Sequence, residues 1–328
     1  MTEPTTKPSV VIVGQVLSII RDLLQDKKIN VTYLAELSAA TTAKLEQALL
    51  TADGLLSTSA LAVNGALLNK APQLKVISQS SVGVDNIDLA ACTLRKIPVG
   101  HTPGVLVEAT ADLAFGLLLS AARRIPEGWN FVRSGAWTHG QSLPLGIDLY
   151  GKTLGIVGMG HIGVAVAKRA QASGMTIIYH NRHPRADDKA LKATYVLFDE
   201  LLTKSDFVLV MVPLTTESTH LFGRSQFAKM KATAYLINAA RGKVIDSEAL
   251  YGALKKGEIA FAALDVTDPE PLPASHPLLT LPNVLVTPHI GSATQETRNA
   301  MARLAVENLL QGLAGKTLPA CANSEVNF

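Results

Sequence analysis

Residues 154–163 read Leu-Gly-Ile-Val-Gly-Met-Gly-His-Ile-Gly, and the stretch that follows, Val164 to Ala172, places small and apolar residues at helical spacing. An apolar run, then glycines at 158, 160 and 163, then a helix is the pattern of a strand passing through a tight turn. Gly158 makes the turn, Gly160 lets the backbone approach a pyrophosphate, and Gly163 lets the helix pack on the strand. The helix N-terminus adds free N–H groups and a positive dipole end, so Met159, His161 and Ile162 join the three glycines as candidate phosphate neighbours. Such a turn is built at the edge of a parallel sheet, which fixes the class of fold available to the chain.

The rest of the sequence agrees. Short β-branched runs alternate with helical patterns from residue 9: Ser9 to Gly14 then Leu17 to Gln25, Val31 to Leu34 then Thr41 to Leu50, Lys75 to Ser78 then Asn86 to Arg95. A second series has strand candidates at Leu154 to Val157, Thr176 to Tyr179, Phe207 to Val212, Ala234 to Asn238, Ala262 to Val266 and Val284 to Thr287. Alternation of this kind predicts βαβ units around parallel sheets. The segment Arg133 to Tyr150, broken by Gly135, Gly140, Pro144 and Gly146, reads as an irregular connection, and a last helix spans about Ala293 to Leu313.

With 328 residues the chain exceeds what one core usually serves, so two domains are expected. Its net charge of +3 arises from 30 basic and 27 acidic residues that are interspersed, which argues against nucleic acid as a partner. Cys92 and Cys321 belong to no ligand cluster, so neither a metal site nor a disulfide framework is expected, and reduced thiols in the cytoplasm are the default. The N-terminus lacks the apolar core of a signal peptide, and no charge-free apolar stretch is long enough to span a membrane. The longest candidate, Val105 to Ala122, contains Glu108 and Asp112 and reads as a buried helix, one that can meet a partner subunit.

After the strand that follows the glycine turn, an NAD site carries an acidic residue for the ribose hydroxyls. Here that place reads Tyr179-His-Asn181-Arg182-His-Pro-Arg185. Asn181 removes the charge that would repel a 2′-phosphate, and Arg182, with Arg185 as a second donor, supplies a planar fork to hold one. NADP(H) is therefore expected in preference to NAD(H), although exposed arginines of a solvated loop would look the same.

Three later strand ends carry residues foreign to a hydrophobic pattern: Arg241 after Asn238, Glu270 after Asp265, and His289 after Thr287. Ligands of open α/β sheets bind outside the carboxyl ends of the strands, so these three side chains can converge. Reduction of a 2-oxo acid needs a hydride at the carbonyl carbon, a proton at its oxygen and a cation for the carboxylate. His289 can donate the proton, Glu270 can hold the other ring nitrogen and favour the charged imidazole, and Arg241 can grip the carboxylate and carbonyl oxygens. Taken singly, each residue type is commoner as an ordinary surface group. Their joint placement downstream of a nucleotide turn carries the expectation.

At these residues the chain resembles the D-isomer-specific 2-hydroxyacid dehydrogenase family along nearly its whole length. The motifs are Ser81-Val-Gly-Val-Asp-Asn-Ile-Asp88, His101-Thr-Pro-Gly through Thr110-Ala-Asp112, the glycine turn, Ala240-Arg-Gly242, Asp265 to Pro271, and Pro288-His-Ile-Gly291. Within it, the chain is most similar to the glyoxylate/hydroxypyruvate and 2-ketogluconate reductases. The resemblance implies two Rossmann-like or flavodoxin-like domains with parallel sheets and an active site in the cleft between them. Residues 104–291 would bind NADP, and residues 1–103 plus 292–328 would form a discontinuous substrate domain, a crossing that composition does not reveal. The resemblance also implies the Arg241, Glu270 and His289 roles, substrate carboxylate binding by the N–H groups around Val82 and Gly83, and a nicotinamide contact from Asp265. Thr110, Val212, Pro213, Thr215, Ala239, His289 and Gly291 would line the cofactor, and a homodimer is implied. Two departures stand out: the segment Ala136 to Gly146 differs from close relatives, and Thr267 replaces an aromatic residue often found after Asp-Val. Another dehydrogenase on this scaffold, acting on a phosphorylated keto-sugar acid, phosphoglycerate, formate or phosphite, remains an alternative, as does a nucleotide-sensing corepressor.

Overall fold

The structure, a computed structural model, describes residues 7–58 and 61–326, Ala39 in its backbone only. In chain order it forms β1 (Ser9–Val13), α1 (Ser18–Gln25), β2 (Asn30–Leu34), α2 (Ala39–Leu49), β3 (Gly54–Ser57), α3 (Gly65–Asn69), β4 (Val76–Gln79), α4 (Leu89–Leu94) and β5 (Val99–Gly100). It continues with α5 (Val107–Arg123), α6 (Ile125–Arg133), β6 (Thr153–Val157), α7 (His161–Ala172), β7 (Thr176–His180), β8 (Ala193–Tyr195) and α8 (Phe198–Lys204). Then come β9 (Phe207–Val210), α9 (Arg224–Phe227), β10 (Tyr235–Asn238), α10 (Ser247–Lys256), β11 (Phe261–Leu264), β12 (Val284–Val286) and α11 (Gln295–Leu313). Two compact units result: one runs to Leu106 and resumes at Thr294, the other spans Val107–Ala293.

The first unit holds a five-stranded parallel sheet in the order β2-β1-β3-β4-β5. Because helices cover both faces, β1 is an unbroken apolar run whose three valines and one isoleucine, Val10 to Val13, are all fully buried. Val10, Ile12, Leu56 and Val76 face α1 and α11, while Val11, Val13, Leu55 and Ile77 face the side covered by α2, α3 and α4. The Ser78 hydroxyl donates to the Ala305 carbonyl of α11 at 2.7 Å. Thus the last helix supplies one wall of a core that the first strand begins.

The second unit holds seven parallel strands in the order β12-β11-β10-β9-β6-β7-β8. Strand order reverses between β6 and its neighbour β9, the place where doubly wound sheets open a crevice at their carboxyl edge. Leu154, Ile156, Leu209 and Ile237 point to α5 and α7, and Val157, Val208, Leu236 and Ala262 to α8, α9 and α10. The helix expected from residue 105 is α5. Ala111, Ala114, Leu117, Leu118, Ala121 and Ala122 are buried in the unit's own core. The apolar face turned to solvent belongs instead to the next helix, α6, where Ile125, Trp129 and Val132 are each more than half exposed. Among the described residues no helix is long and apolar enough to cross a membrane.

Candidate active site

Apart from Thr110 in α5, the candidate groups in the second unit follow the ends of parallel strands, so they gather at one edge of its sheet. Gly158 follows β6, Asn181 follows β7, and Val212, Pro213 and Thr215 follow β9; Ala239 and Arg241 come after β10, Asp265 and Glu270 after β11, and His289 after β12.

The glycine turn begins where the strand order reverses. Gly158 has φ +95°, and a Cβ there would lie 2.7 Å from the backbone of Met211 and Val212, so only glycine lets the two strand ends meet. Its N–H donates to His180 O at 2.9 Å, and Met211 N–H donates to Val157 O at 2.8 Å. Gly160 is the N-cap of α7 with no side-chain capping bond, and nothing lies within 4 Å of where its Cβ would stand. Open space in front of uncapped N–H groups fits a pyrophosphate. At the end of β7 the Asn181 Oδ1 accepts the Met159 N–H at 2.7 Å, so this side chain braces the turn as well as replacing the acidic residue. Arg182 is exposed, whereas Arg185 is half-buried and forms a fork on Asp187, Nε to Oδ1 and Nη2 to Oδ2, both at 2.8 Å. The loop after β9 is closed by Ser218, whose hydroxyl accepts from Thr215 N–H at 2.8 Å and donates to Pro213 O at 2.7 Å.

His289 and Glu270 meet. Nδ1 of the imidazole lies 2.6 Å from Glu270 Oε1; a carboxylate accepts, so Nδ1 carries the hydrogen and Nε2 is left for another partner. The second carboxylate oxygen, Oε2, accepts the Thr267 N–H at 3.3 Å. Burial pushes the Glu270 carboxyl up, but the His289 hydrogen bond and charge, the Thr267 N–H and the Arg241 charge outweigh it and hold the group below its ordinary value. Arg241 is therefore within electrostatic reach of the pair.

Two buried polar side chains, Asn238 and Asp265, hold these loops, a bracing role the sequence does not show. Asn238 accepts the Ala240 N–H at 3.0 Å and donates to Arg241 O at 2.9 Å, setting the turn that carries the arginine. Asp265 accepts at one oxygen from the Thr287 hydroxyl at 2.6 Å and the Ile290 N–H at 2.8 Å, and at the other from the Gly291 N–H at 2.8 Å. Its backbone carbonyl takes the His289 N–H at 2.9 Å. Thr110, at the start of α5, stands beside Gly291, where an added Cβ would come within 3.3 Å of its methyl. A Cβ on Gly242 would overlap the Thr267 carbonyl, so the arginine turn and the glutamate loop touch only because residue 242 is glycine. Ser247 anchors that loop from below, donating to Asp268 O at 2.9 Å.

In the first unit, Val82 and Gly83 lie on a turn after β4. The Gly83 carbonyl accepts from Gln79 Nε2 at 2.9 Å and Ser81 Oγ at 2.6 Å, and the Val82 carbonyl from His101 Nδ1 at 3.0 Å. Engaging the carbonyls from within the unit fixes the turn's conformation.

Residues 115–291 match the family described as D-isomer specific 2-hydroxyacid dehydrogenase, NAD binding domain. The chain is 48% identical over 311 residues to a glyoxylate/hydroxypyruvate reductase B of Citrobacter koseri, covering 93% of this chain and 95% of that one. It is also 48% identical over 277 residues to a glyoxylate reductase of Korarchaeum cryptofilum, 84% and 83% of the two chains. Among solved structures it resembles an NADPH-dependent glyoxylate/hydroxypyruvate reductase of Sinorhizobium meliloti in complex with NADP and malonate, with TM-score 0.89, 32% identity and 98% of each chain covered. With the fold, the glycine turn and the matched domain in agreement, the chain belongs to the D-isomer-specific 2-hydroxyacid dehydrogenase family of oxidoreductases.

Proposed function

We propose that the protein reduces a small 2-oxo acid, glyoxylate or hydroxypyruvate and by the same chemistry 2-ketogluconate, to the D-2-hydroxy acid with NADPH in preference to NADH. The observation that carries this reading is the His289–Glu270 pair at 2.6 Å, beside Arg241, on the sheet edge that also bears the glycine turn. Relatives bearing glyoxylate and hydroxypyruvate reductase names at 48% identity support the substrate class. A bound reduced nicotinamide supplies the hydride. His289 gives the proton to the carbonyl oxygen from Nε2 while Glu270 holds Nδ1 and fixes the ring's orientation. Arg241 binds the substrate's oxygens through its guanidinium, and the Val82 and Gly83 N–H groups receive its carboxylate. Asp265, with its three hydrogen bonds, holds the His289 loop and would contact the carboxamide of a bound nicotinamide. In this reading Val107–Ala293 is the cofactor domain and the discontinuous unit is the substrate domain. Asn181 and Arg182 favour the 2′-phosphate, one by carrying no charge and the other by adding one. The exposed strip Ile125, Trp129 and Val132 on α6, followed by Trp137, supports a homodimer built on this face.

Initial rates across glyoxylate, hydroxypyruvate, 2-ketogluconate, phosphohydroxypyruvate and a keto-sugar acid phosphate, each with NADPH and NADH, test the proposal. The first three should turn over faster with NADPH, and His289→Ala should lower kcat by about 100-fold or more while cofactor binding persists. Binding of NADPH without turnover of any acid would reject the reductase reading.

A further inference from the structure

The two arginines at the ribose end are in different states. Arg182 is exposed, and its charge helps hold the Glu217 carboxyl below its ordinary value, after the Thr215 hydroxyl and the residue's own backbone N–H. Arg185 is engaged on three sides. Its Nε and Nη2 form a two-bond fork on Asp187, its Nη1 donates to Met159 O at 3.1 Å, and its backbone N–H donates to the Tyr179 hydroxyl at 2.7 Å. Tyr179 is itself fully buried, so the loop from 182 to 188 is pinned to the sheet rather than hanging from it. Met159 lies between the first two glycines of the turn, and its N–H is already held by Asn181.

We infer that Asp187, by clamping Arg185 against the Met159 carbonyl, makes Arg185 a positioning residue of the glycine turn, and that discrimination for the 2′-phosphate falls to Arg182 alone. The geometry gives the reason. A guanidinium has five donors in a fixed plane; two are spent on one carboxylate and a third on the turn, and the fork leaves it electrically paired. A phosphate approaching it would meet a neutralised pair, whereas exposed Arg182 feels Glu217 through its charge alone, with no carboxylate forked onto it among the described residues. Holding the Met159 carbonyl from one side, as Asn181 holds its N–H from the other, keeps the peptide between Gly158 and Gly160 oriented for a pyrophosphate. This inference rests on the NADPH reading above and assigns its parts.

Three ligands separate the roles: NADH carries the pyrophosphate only, adenosine 2′-monophosphate carries the 2′-phosphate but no 5′-phosphate, and NADPH carries both. Dissociation constants are measured by fluorescence titration for wild type, Arg185→Ala, Asp187→Ala and Arg182→Ala, using the intact enzyme. Arg185→Ala and Asp187→Ala should each weaken NADH and NADPH by a similar factor, about three- to tenfold, the net size of one ordinary hydrogen bond. Both should leave adenosine 2′-monophosphate within about twofold of wild type. A general loss of structure would move all three ligands together. The double variant should be no worse than either single one, since the two residues act as a pair. Arg182→Ala should weaken NADPH and the 2′-monophosphate while sparing NADH. If Arg185→Ala weakens the 2′-monophosphate and NADPH but not NADH, Arg185 is a phosphate ligand and the inference is overturned; an Arg185→Ala variant with unchanged NADH affinity overturns it as well. Failure of Arg182→Ala to alter the NADPH to NADH ratio would instead strike the NADPH reading itself.

Discussion

His289 has φ +53°, a left-handed conformation that costs a residue with a Cβ on the order of 1–2 kcal/mol. The surrounding bonds hold it there: its N–H is shared between Asp265 O and Thr287 O, and the Asp265 carboxylate takes the next two N–H groups. The strained turn aims the ring at Glu270, and the pair's electrostatics set its pH range. Because the Glu270 carboxyl is held below its ordinary value near 4.5, the pair's contribution is complete above that value. It is lost as the pH falls through the lowered one. Glu270→Gln should therefore abolish the acid limb of the kcat profile and lower kcat by about tenfold or more. A pH profile that keeps its acid limb where wild type has it would break the assigned pairing. Arg241, Glu270 and His289 were legible in the sequence because each residue type is foreign to a strand end. Asn238, Asp265 as a brace, Ser247 and Asp187 were not, since their partners are fixed only by how neighbouring strands and loops come together.

At the scale of elements, the same device recurs at the start of both sheets. Asp53, just before β3, accepts the Ser9 N–H that opens β1 at 2.8 Å and pairs with Lys75 at 2.9 Å. Asp206, just before β9, accepts the Thr153 N–H that opens β6 at 2.9 Å and pairs with Lys231 at 2.9 Å. Burial pushes both carboxyls up, but the backbone N–H and the lysine outweigh it, so both lie below their ordinary value near 3.8. The stabilisation is thus present above that value and lost as the pH falls through the lowered one. Asp206→Asn should lower the stability of the second unit by about 1 kcal/mol at neutral pH, with the gap closing below pH 3.8, as read by urea unfolding at the two pH values. Most long strands were readable because an all-apolar run such as Phe207–Val210 has one meaning in a parallel sheet. β3, β5 and β8 were missed: Gly54–Ser57 has only two leucines between small residues, Val99–Gly100 has two residues, and Ala193–Tyr195 is an edge strand with little apolar signal.

At the scale of the molecule, the second unit is continuous in sequence and the first is not. The segment 107–293 should fold as an independent piece, unfold cooperatively, bind NADPH and sediment as a dimer through the α6 face. Monomeric sedimentation would reject that face as the dimer contact, and a molten fragment would reject its autonomy. The segment 7–106 should not fold alone. Without α11, the faces of Val10, Ile12, Leu56 and Val76 lose Ala302, Ala305, Val306 and Leu309, and Val99 and Ile97 lose the Asn323 bonds at 2.8 and 3.0 Å. No pattern within residues 9–100 signals this dependence, because each βα unit there looks complete by its own periodicity. The split has a consequence during synthesis. The ribosome releases β1 to β5 first, yet the helix that roofs one side of that sheet emerges only after the whole nucleotide-binding segment has been made. A half-roofed, strand-rich intermediate must then wait while its younger neighbour finishes folding, and slow codons or chaperone contact in that interval would matter more here than in a chain whose domains are encoded one after the other.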